Sequence, residues 1–294
     1  MAGAGVREFK RRIRSVKNTQ QITKAMKMVA AAKLRKAQER AEASRPYTET
    51  LQGTLARLAA VSTDVTHPLL VKREDVRKVG YIVVAADRGL CGGYNTNIIR
   101  AANDAMAADD RKVENGIIAV GRKARDFYRK RSGLDAEYTN LGDVTSYADA
   151  REIAEYVINA YENEELDEVY LVYAKFASVL RQIPTVTKLL PLESIEPEAE
   201  TAEKYVEYIY EPSAELILLT LLPRYVGSQI YHAMLESKAS EFGAKMTAMG
   251  NATQNAGEIL DALTQKMNNV RQSAITDEIL DIVGGAEALN KGGK

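Results

Sequence analysis

A three-four rhythm of apolar residues runs through Leu235, Ala239, Phe242, Met246, Met249, Thr253, Ala256, Leu260, Leu263, Met267, Val270 and Ala274. Such a rhythm marks a helical coiled-coil seam. At about 1.5 Å per residue, a helix from Ser213 to Val283 is on the order of 100 Å long, so the pattern predicts a rod. A second helical pattern opens the chain, with Val6, Phe9, Ile13 and Val16 as one stripe and Ile22, Met26 and Val29 as another after a phase shift. Pro46 and Pro223 fall inside these patterns, where a missing amide predicts a bend or break.

Between the two helical ends the period changes. Val79–Ala85 is a short run rich in Val, Ile and Tyr; the turn Asp87–Asn95 and a helical pattern to about Ala107 follow it. Gly116–Val120 with Arg122–Arg131 repeats the unit, Tyr147–Tyr161 reads as a helix, Val169–Phe176 as a strand, and Pro184–Leu192 as a last strand. Alternation of this kind predicts a parallel α/β sheet. Glu193–Lys204, with five Glu and one Pro, reads as a solvated loop. The expected organisation is an N-terminal coiled-coil helix over 1–60, a Rossmann-like α/β domain over 75–195 and a C-terminal coiled-coil helix over 208–288. The two terminal helices pair antiparallel, because that buries both stripes most simply. Gly243, Gly250 and Gly257 each follow a seam position, which predicts close approach of the partner helix where each glycine costs a helix about 1 kcal/mol.

Charge adds a direction to this plan. The chain carries 40 basic and 40 acidic residues, yet residues 1–60 hold 14 Lys or Arg against 4 Asp or Glu. A basic segment attracts nucleic acid, anionic lipid or an acidic protein surface alike. The single cysteine, Cys91, excludes an intrachain disulfide and fits a reducing compartment. No run of about 18 apolar residues occurs, so no membrane span or signal core is expected.

Candidate chemistry is thin. Gly89-Leu90-Cys91-Gly92-Gly93 sits between a strand and a helix, as phosphate loops do, but it lacks the Gly-Lys-Ser/Thr ending and the dinucleotide glycine spacing. Tight-turn geometry explains these glycines. A nucleophilic Cys91 would need a base beside it, and neither His67 nor His232 has a context that supplies one. No carboxylate pair, metal cluster or triad stands out, so no cofactor is expected. The informative region is the end of the last helix. There Arg271, Gln272, Thr276, Asp277, Glu278 and Asp281 alternate with Ile275, Ile279, Leu280, Ile282 and Val283, which makes the helix apolar nearly all round. One partner helix cannot cover every side of such a tip, so other subunits are expected to form an apolar collar around it.

The segment Ile275-Thr276-Asp277-Glu278-Ile279-Leu280-Asp281-Ile282-Val283-Gly284-Gly285-Ala286-Glu287-Ala288 resembles the signature of the gamma subunit of F-type ATP synthase. Ile22-Thr23-Lys24-Ala25-Met26-Lys27-Met28-Val29-Ala30-Ala31, Asp87-Arg88-Gly89-Leu90-Cys91-Gly92-Gly93 and Leu221-Leu222-Pro223-Arg224-Tyr225 resemble the same family in the same order. The resemblance implies a rotary central shaft without a catalytic site, a cofactor or a nucleotide of its own. Its coiled coil would turn inside a ring of alpha and beta subunits, and its foot would meet an epsilon subunit and a membrane c-ring on the cytoplasmic face of a bacterial plasma membrane. By position it implies partner contacts at Arg271, Gln272 and Thr276 (a polar catch on beta) and at Ile279, Ile282 and Val283 (an upper bearing). It also implies contacts at Lys24, Met26 and Lys27 (a neck beside the acidic lever of beta), at Asp87, Arg88 and Cys91 (an insert loop), and at Tyr208, Tyr210 and Glu211 (the foot). No nucleic-acid partner is implied. A static coiled-coil scaffold and a small α/β enzyme with helical arms are the rival readings. The first does not predict the all-round apolar tip, and the second lacks its catalytic residues.

Overall fold

The computed structural model describes residues 2–61, 67–131, 133–192, 211 and 213–292. Helix α1 (Ala2–Val61) opens the chain and helix α5 (Ala214–Gly292) closes it; between them lie β1 (Lys78–Val84), α2 (Tyr94–Ala107), β2 (Glu114–Val120), α3 (Arg122–Tyr128), β3 (Ala136–Tyr138), α4 (Tyr147–Glu162), β4 (Glu168–Phe176) and β5 (Gln182–Leu190). The acidic segment 193–204 lies outside the described residues. The chain divides into two compact units, one formed by residues 1–29 with 248–294 and the other by residues 30–247.

The larger unit is built on a five-stranded sheet of order β3-β2-β1-β4-β5. Strands β3, β2, β1 and β4 run parallel, and β5 returns antiparallel along β4. The continuous apolar run of β1 follows from burial on both faces. Val79, Tyr81 and Val83 pack with Ile98 and Ala102 of α2 and Ala124 and Tyr128 of α3. Ile82 and Val84 pack on the other face with Ile153 and Val157 of α4, Leu51, Leu55 and Leu58 of α1, and Leu218, Leu222, Val226 and Ile230 of α5. Strand β3 escapes the sequence reading because its three residues are too short to show a period. The last strand expected at Pro184–Leu192 is β5, Gln182–Leu190, but its antiparallel direction follows from the hairpin with β4 and not from the expected parallel alternation.

In the smaller unit the early part of α1 packs antiparallel on the late part of α5. Gly5 lies against Val270, Gln20 against Gly257, and Lys27 against Gly250, so numbers rise on one helix as they fall on the other. On α5 every position of the three-four rhythm from Met249 to Ala274 is buried or half-buried, joined by the flanking Gly250, Ala252, Gly257 and Asn268. The α1 seam differs from its expected course. It stays in phase through Phe9, Ile13, Val16, Gln20 and Thr23, with Met26 half-buried beyond, while Ile22 and Val29 are more than half exposed. The supposed phase shift arises from reading apolar residues as the seam where two polar residues occupy it.

Neither proline breaks its helix: Pro46 lies within α1 and Pro223 within α5. The carbonyls deprived of a donor belong to Glu42 and Leu219, both exposed residues, so water can take the missing amide's place. The glycine expectation also changes. The nearest atoms to Gly243 belong to Phe176, Gln182 and Val179 of the β4–β5 hairpin, not to α1. Gly250 and Gly257 do face α1, but they meet the flexible ends of Lys27 and Gln20 rather than its backbone.

Candidate functional site

Beyond Ala274 the seam ends, and among the described residues nothing covers α5. Ile275, Ile279, Leu280, Ile282 and Val283 are 50% to 67% exposed, and every residue from Ile275 to Ala286 is exposed. Arg271 and Gln272 stand just before them, also exposed. The Thr276 hydroxyl donates to the Gln272 backbone carbonyl at 3.0 Å, which ties it to its own helix. Contiguous exposed apolar surface marks a place for a partner.

On α1, Lys24 and Lys27 are exposed and Met26 is half-buried. The Lys27 stem lies along Gly250, whose absent side chain leaves room for it. Around these lysines Ile22, Met28 and Val29 are 59%, 61% and 53% exposed. Sequence reasoning did not place Met28 on this surface and put Ile22 and Val29 in the seam. Counting the seam through Gln20 and Thr23 puts all three outside it, which is the signal that finds them.

The loop after β1 is tightly organised. The Asp87 carboxylate accepts the backbone amides of Arg122 at 3.1 Å and Asn140 at 3.2 Å, and the Arg122 guanidinium stands 3.8 Å away. Gly121, at φ +94°, carries the turn into α3, where a Cβ would strike the Ala85 carbonyl. In open α/β sheets the crevice at the carboxyl ends of the strands receives ligands. Here Asp87 sets its own anion on the amide that opens α3, and Met234, Ser237, Lys238 and Glu241 of α5 help to fill the crevice. The cavity remaining there is about 20 Å³, room for about one water, and beside it an open cleft of about 240 Å³ is lined by Asp87, Arg88, Arg122, Asn140, Gly142, Asp143, Lys238 and Glu241.

Cys91 points inward and is 1% exposed. Asn95 Nδ2 donates to its sulfur at 3.1 Å. Burial pushes the thiol pKa up, and Glu241 adds to the rise, the opposite of an activated nucleophile. The surface of this loop is formed instead by Arg88 and Leu90, both exposed. Leu90 has φ +63°, outside the usual range for a branched side chain.

Glu211 is exposed; Tyr208 and Tyr210 lie outside the described residues. Among the described residues there is no cluster of three or more His, Cys, Asp or Glu placed to hold a metal ion, and no helix is long and apolar enough to cross a membrane.

The family model described as ATP synthase matches residues 5–289. The ATP synthase gamma chain of Desulfitobacterium hafniense is 57% identical over 287 residues, spanning 97% of this chain and 99% of the relative. That of Heliobacterium modesticaldum is 53% identical over 292 residues, again 97% and 99%. Among solved structures, a chain of the central stalk/c-ring of Tetrahymena thermophila mitochondrial ATP synthase is similar with a TM-score of 0.60 and 27% identity, over 79% of this chain and 99% of that one. A chain of Euglena gracilis mitochondrial ATP synthase shares the fold with a TM-score of 0.69 at 22% identity, over 99% and 97%. With matches of this extent, the chain belongs to the family of ATP synthase gamma chains, the non-catalytic central-stalk subunits of that enzyme.

Proposed function

We propose that the chain transmits rotation between an ion-driven membrane c-ring and a hexamer of alpha and beta subunits, as a peripheral component on the cytoplasmic face of a bacterial plasma membrane. The observation that carries this reading is the tip of α5, exposed on every side. Ile275, Ile279, Leu280, Ile282 and Val283 spread over about 160° of the helix, with Asp277, Glu278 and Asp281 on the remaining face, so the tip is less completely apolar than its sequence suggests. Burying an Ile, Leu or Val side chain stabilises an association by roughly 1.5–3 kcal/mol, and the attraction has no preferred direction. A collar of alpha and beta subunits can therefore hold Ile279, Ile282 and Val283 firmly while the helix turns within it.

Arg271, Gln272 and Thr276 supply the directional complement, a catch that engages one beta subunit at a time. Lys24 and Lys27, with Met26 between them and Ile22, Met28 and Val29 alongside, form the neck that passes the acidic lever of beta. The basic excess of residues 1–60 supports this, because long-range attraction favours approach without a fixed register. The loop at Asp87, Arg88 and Cys91 adds contact through Arg88 and Leu90, with Asp87 and Cys91 shaping it from within. Tyr208, Tyr210 and Glu211 form the foot that meets the epsilon subunit and the c-ring. No nucleotide or nucleic acid binds the chain directly.

The test is the Arg271→Ala, Gln272→Ala double variant in the assembled enzyme. Assembly should be normal while ATP synthesis driven by an ion gradient falls; undiminished synthesis would remove the catch from the mechanism. A probe fixed near Glu211 should turn in discrete steps during ATP hydrolysis, and a stationary probe on an active complex would overturn the rotary reading.

A further inference from the structure

Strand β4 outruns its neighbour. Its pairing with β1 ends at Val83 against Val172, yet β4 continues to Phe176, paired on its other side with β5. The edge of Tyr173–Phe176 that faces away from β5 therefore has no strand beside it. Three side chains of α5 fill the vacant ladder. Ala174 N donates to Ser237 Oγ at 3.3 Å, Ser240 Oγ donates to Ala174 O at 2.9 Å, and Phe176 N donates to Glu236 Oε2 at 2.7 Å. Positions 236, 237 and 240 fall within an arc of about 100° on a helix, so one face of α5 stands in for a strand.

These contacts are sealed from water: Glu236, Ser237 and Ser240 are 8%, 3% and 0% exposed. The Tyr94 hydroxyl, from the first residue of α2, donates to the Ser237 carbonyl at 2.9 Å and pins the same stretch from a third element. Thr247 Oγ1 adds a bond to the Val179 carbonyl at 3.2 Å in the hairpin beyond. Apolar packing resists separation but allows sliding, whereas hydrogen bonds fix direction as well as distance. Buried serines and a buried carboxylate are costly on a helix unless their partners are in place.

We propose that Glu236, Ser237 and Ser240 are positioning residues forming a torsional weld, through which torque passes between α5 and the α/β sheet without slippage. The proposal rests on the rotary reading above and adds to it the joint within the chain that must bear the load. Hydrophobic contact alone would hold the sheet against α5, and the weld fixes its angle.

The experiment uses the assembled enzyme in sealed vesicles, with amide exchange at Ala174 and Phe176, ATP hydrolysis and ions pumped per ATP measured on one preparation. In the Glu236→Ala, Ser237→Ala, Ser240→Ala variant, exchange should accelerate roughly tenfold or more, since each lost hydrogen bond changes local opening severalfold. Hydrolysis should stay within about twofold, because the catalytic sites belong to other subunits, while pumping per ATP against an opposing gradient should fall severalfold. Glu236→Gln keeps an acceptor for Phe176 N and should retain wild-type exchange and pumping.

Unchanged exchange in the triple variant would show that these bonds hold nothing, and accelerated exchange with full pumping would show that they bear no torque; either result overturns the proposal. Should the triple variant fail to assemble, Ser240→Ala alone removes one bond and must still lower pumping per ATP, and full pumping then overturns it equally. Failure of the rotary reading would show differently, as hydrolysis without pumping by the unmodified chain.

Discussion

The hydroxyls of Thr23 and Thr253 meet at 2.8 Å across the α1–α5 pair. Thr23 also lies within reach of the Gln20 carbonyl at 3.0 Å, and Gln20 Nε2 reaches the Thr253 carbonyl at 3.5 Å. This is a polar layer in the middle of an otherwise apolar seam. A polar residue at a seam position selects register at a cost in stability, because a shifted helix would strand it against apolar neighbours. In an antiparallel pair made from the two ends of one chain, the layer fixes which turn of α5 faces which turn of α1.

Replacing both threonines by valine removes donor and acceptor together, a change that is nearly neutral or stabilising. The Thr23→Val, Thr253→Val chain should therefore melt at the wild-type temperature or slightly above it. Its helix register should loosen, read as a broader distance distribution between spin labels at Arg14 and Glu258. A lowered melting temperature with an unbroadened distribution would mean the layer stabilises without specifying.

Acid should weaken the sheet through two adjacent carboxylates. Glu168, buried at the start of β4, accepts from Arg111 at 2.7 Å and Lys188 at 3.0 Å. Asp167 accepts the amides of Arg77 at 2.8 Å and Lys78 at 2.9 Å and the Arg73 guanidinium at 2.9 Å. Burial pushes both carboxyls up, but these partners outweigh it and hold both pKa values below the ordinary 4.5 and 3.8. The unfolded chain then binds more protons in the acid range, so stability rises with pH there. The contribution is complete above the ordinary values and is lost as pH falls through the depressed ones. Urea unfolding between pH 7 and pH 3 should show falling stability below about pH 4.5. Glu168→Gln, which leaves Lys188 without its charge partner, should cost on the order of 3 kcal/mol at pH 7 and flatten the acid slope.

Cys91 should be inert in the folded chain. Its thiol is buried and its pKa raised, so both access and thiolate fraction are low. A disulfide reagent at pH 8 should modify it slowly under native conditions and rapidly in urea, with a stoichiometry of one. Fast native labelling would mean that the loop at Asp87–Asn95 opens readily.

What the amino-acid pattern discloses depends on whether partners are close in sequence. The strand Val79–Ala85 is legible because burial on both faces leaves a continuous apolar run, and the α5 seam because its period persists for many turns. The tip is legible as exposed because its large apolar residues continue past the end of the seam, though an acidic face of Asp277, Glu278 and Asp281 keeps it from being apolar all round. Glu236, Ser237 and Ser240 are not legible, since their partners are main-chain atoms of a strand some 60 residues away and polar residues on a helix ordinarily read as solvent-facing. The same limit hides the α1 seam at Gln20 and Thr23, where only the opposing Thr253 explains a polar choice. Pro46 and Pro223 mislead for a simpler reason: the rule that breaks helices counts the lost amide and the ring clash, and here the carbonyls concerned belong to exposed residues, where water can replace the donor.

The three glycines of α5 separate by their neighbours, and their alanine variants should do the same. A Cβ on Gly250 would meet Lys27 at 3.7 Å, ordinary contact, so Gly250→Ala should stabilise by about 0.5–1 kcal/mol through backbone entropy and helix propensity. On Gly257 a Cβ would stand 3.2 Å from Gln20 Nε2, a flexible group that can give way, so the gain should be smaller but of the same sign. On Gly243 it would stand 3.1 Å from Phe176 Cε2, with Val179 and Gln182 behind. That half-buried ring packs against the cluster of Leu34, Ala37, Ala239 and Phe242, which restrains its withdrawal, so overpacking should outweigh the propensity gain. Thermal melts of the three single variants test the ordering Gly250→Ala above Gly257→Ala above wild type above Gly243→Ala. A stabilising Gly243→Ala would show that the hairpin yields, and destabilisation by Gly250→Ala would restore close helix approach as the reason for the repeat.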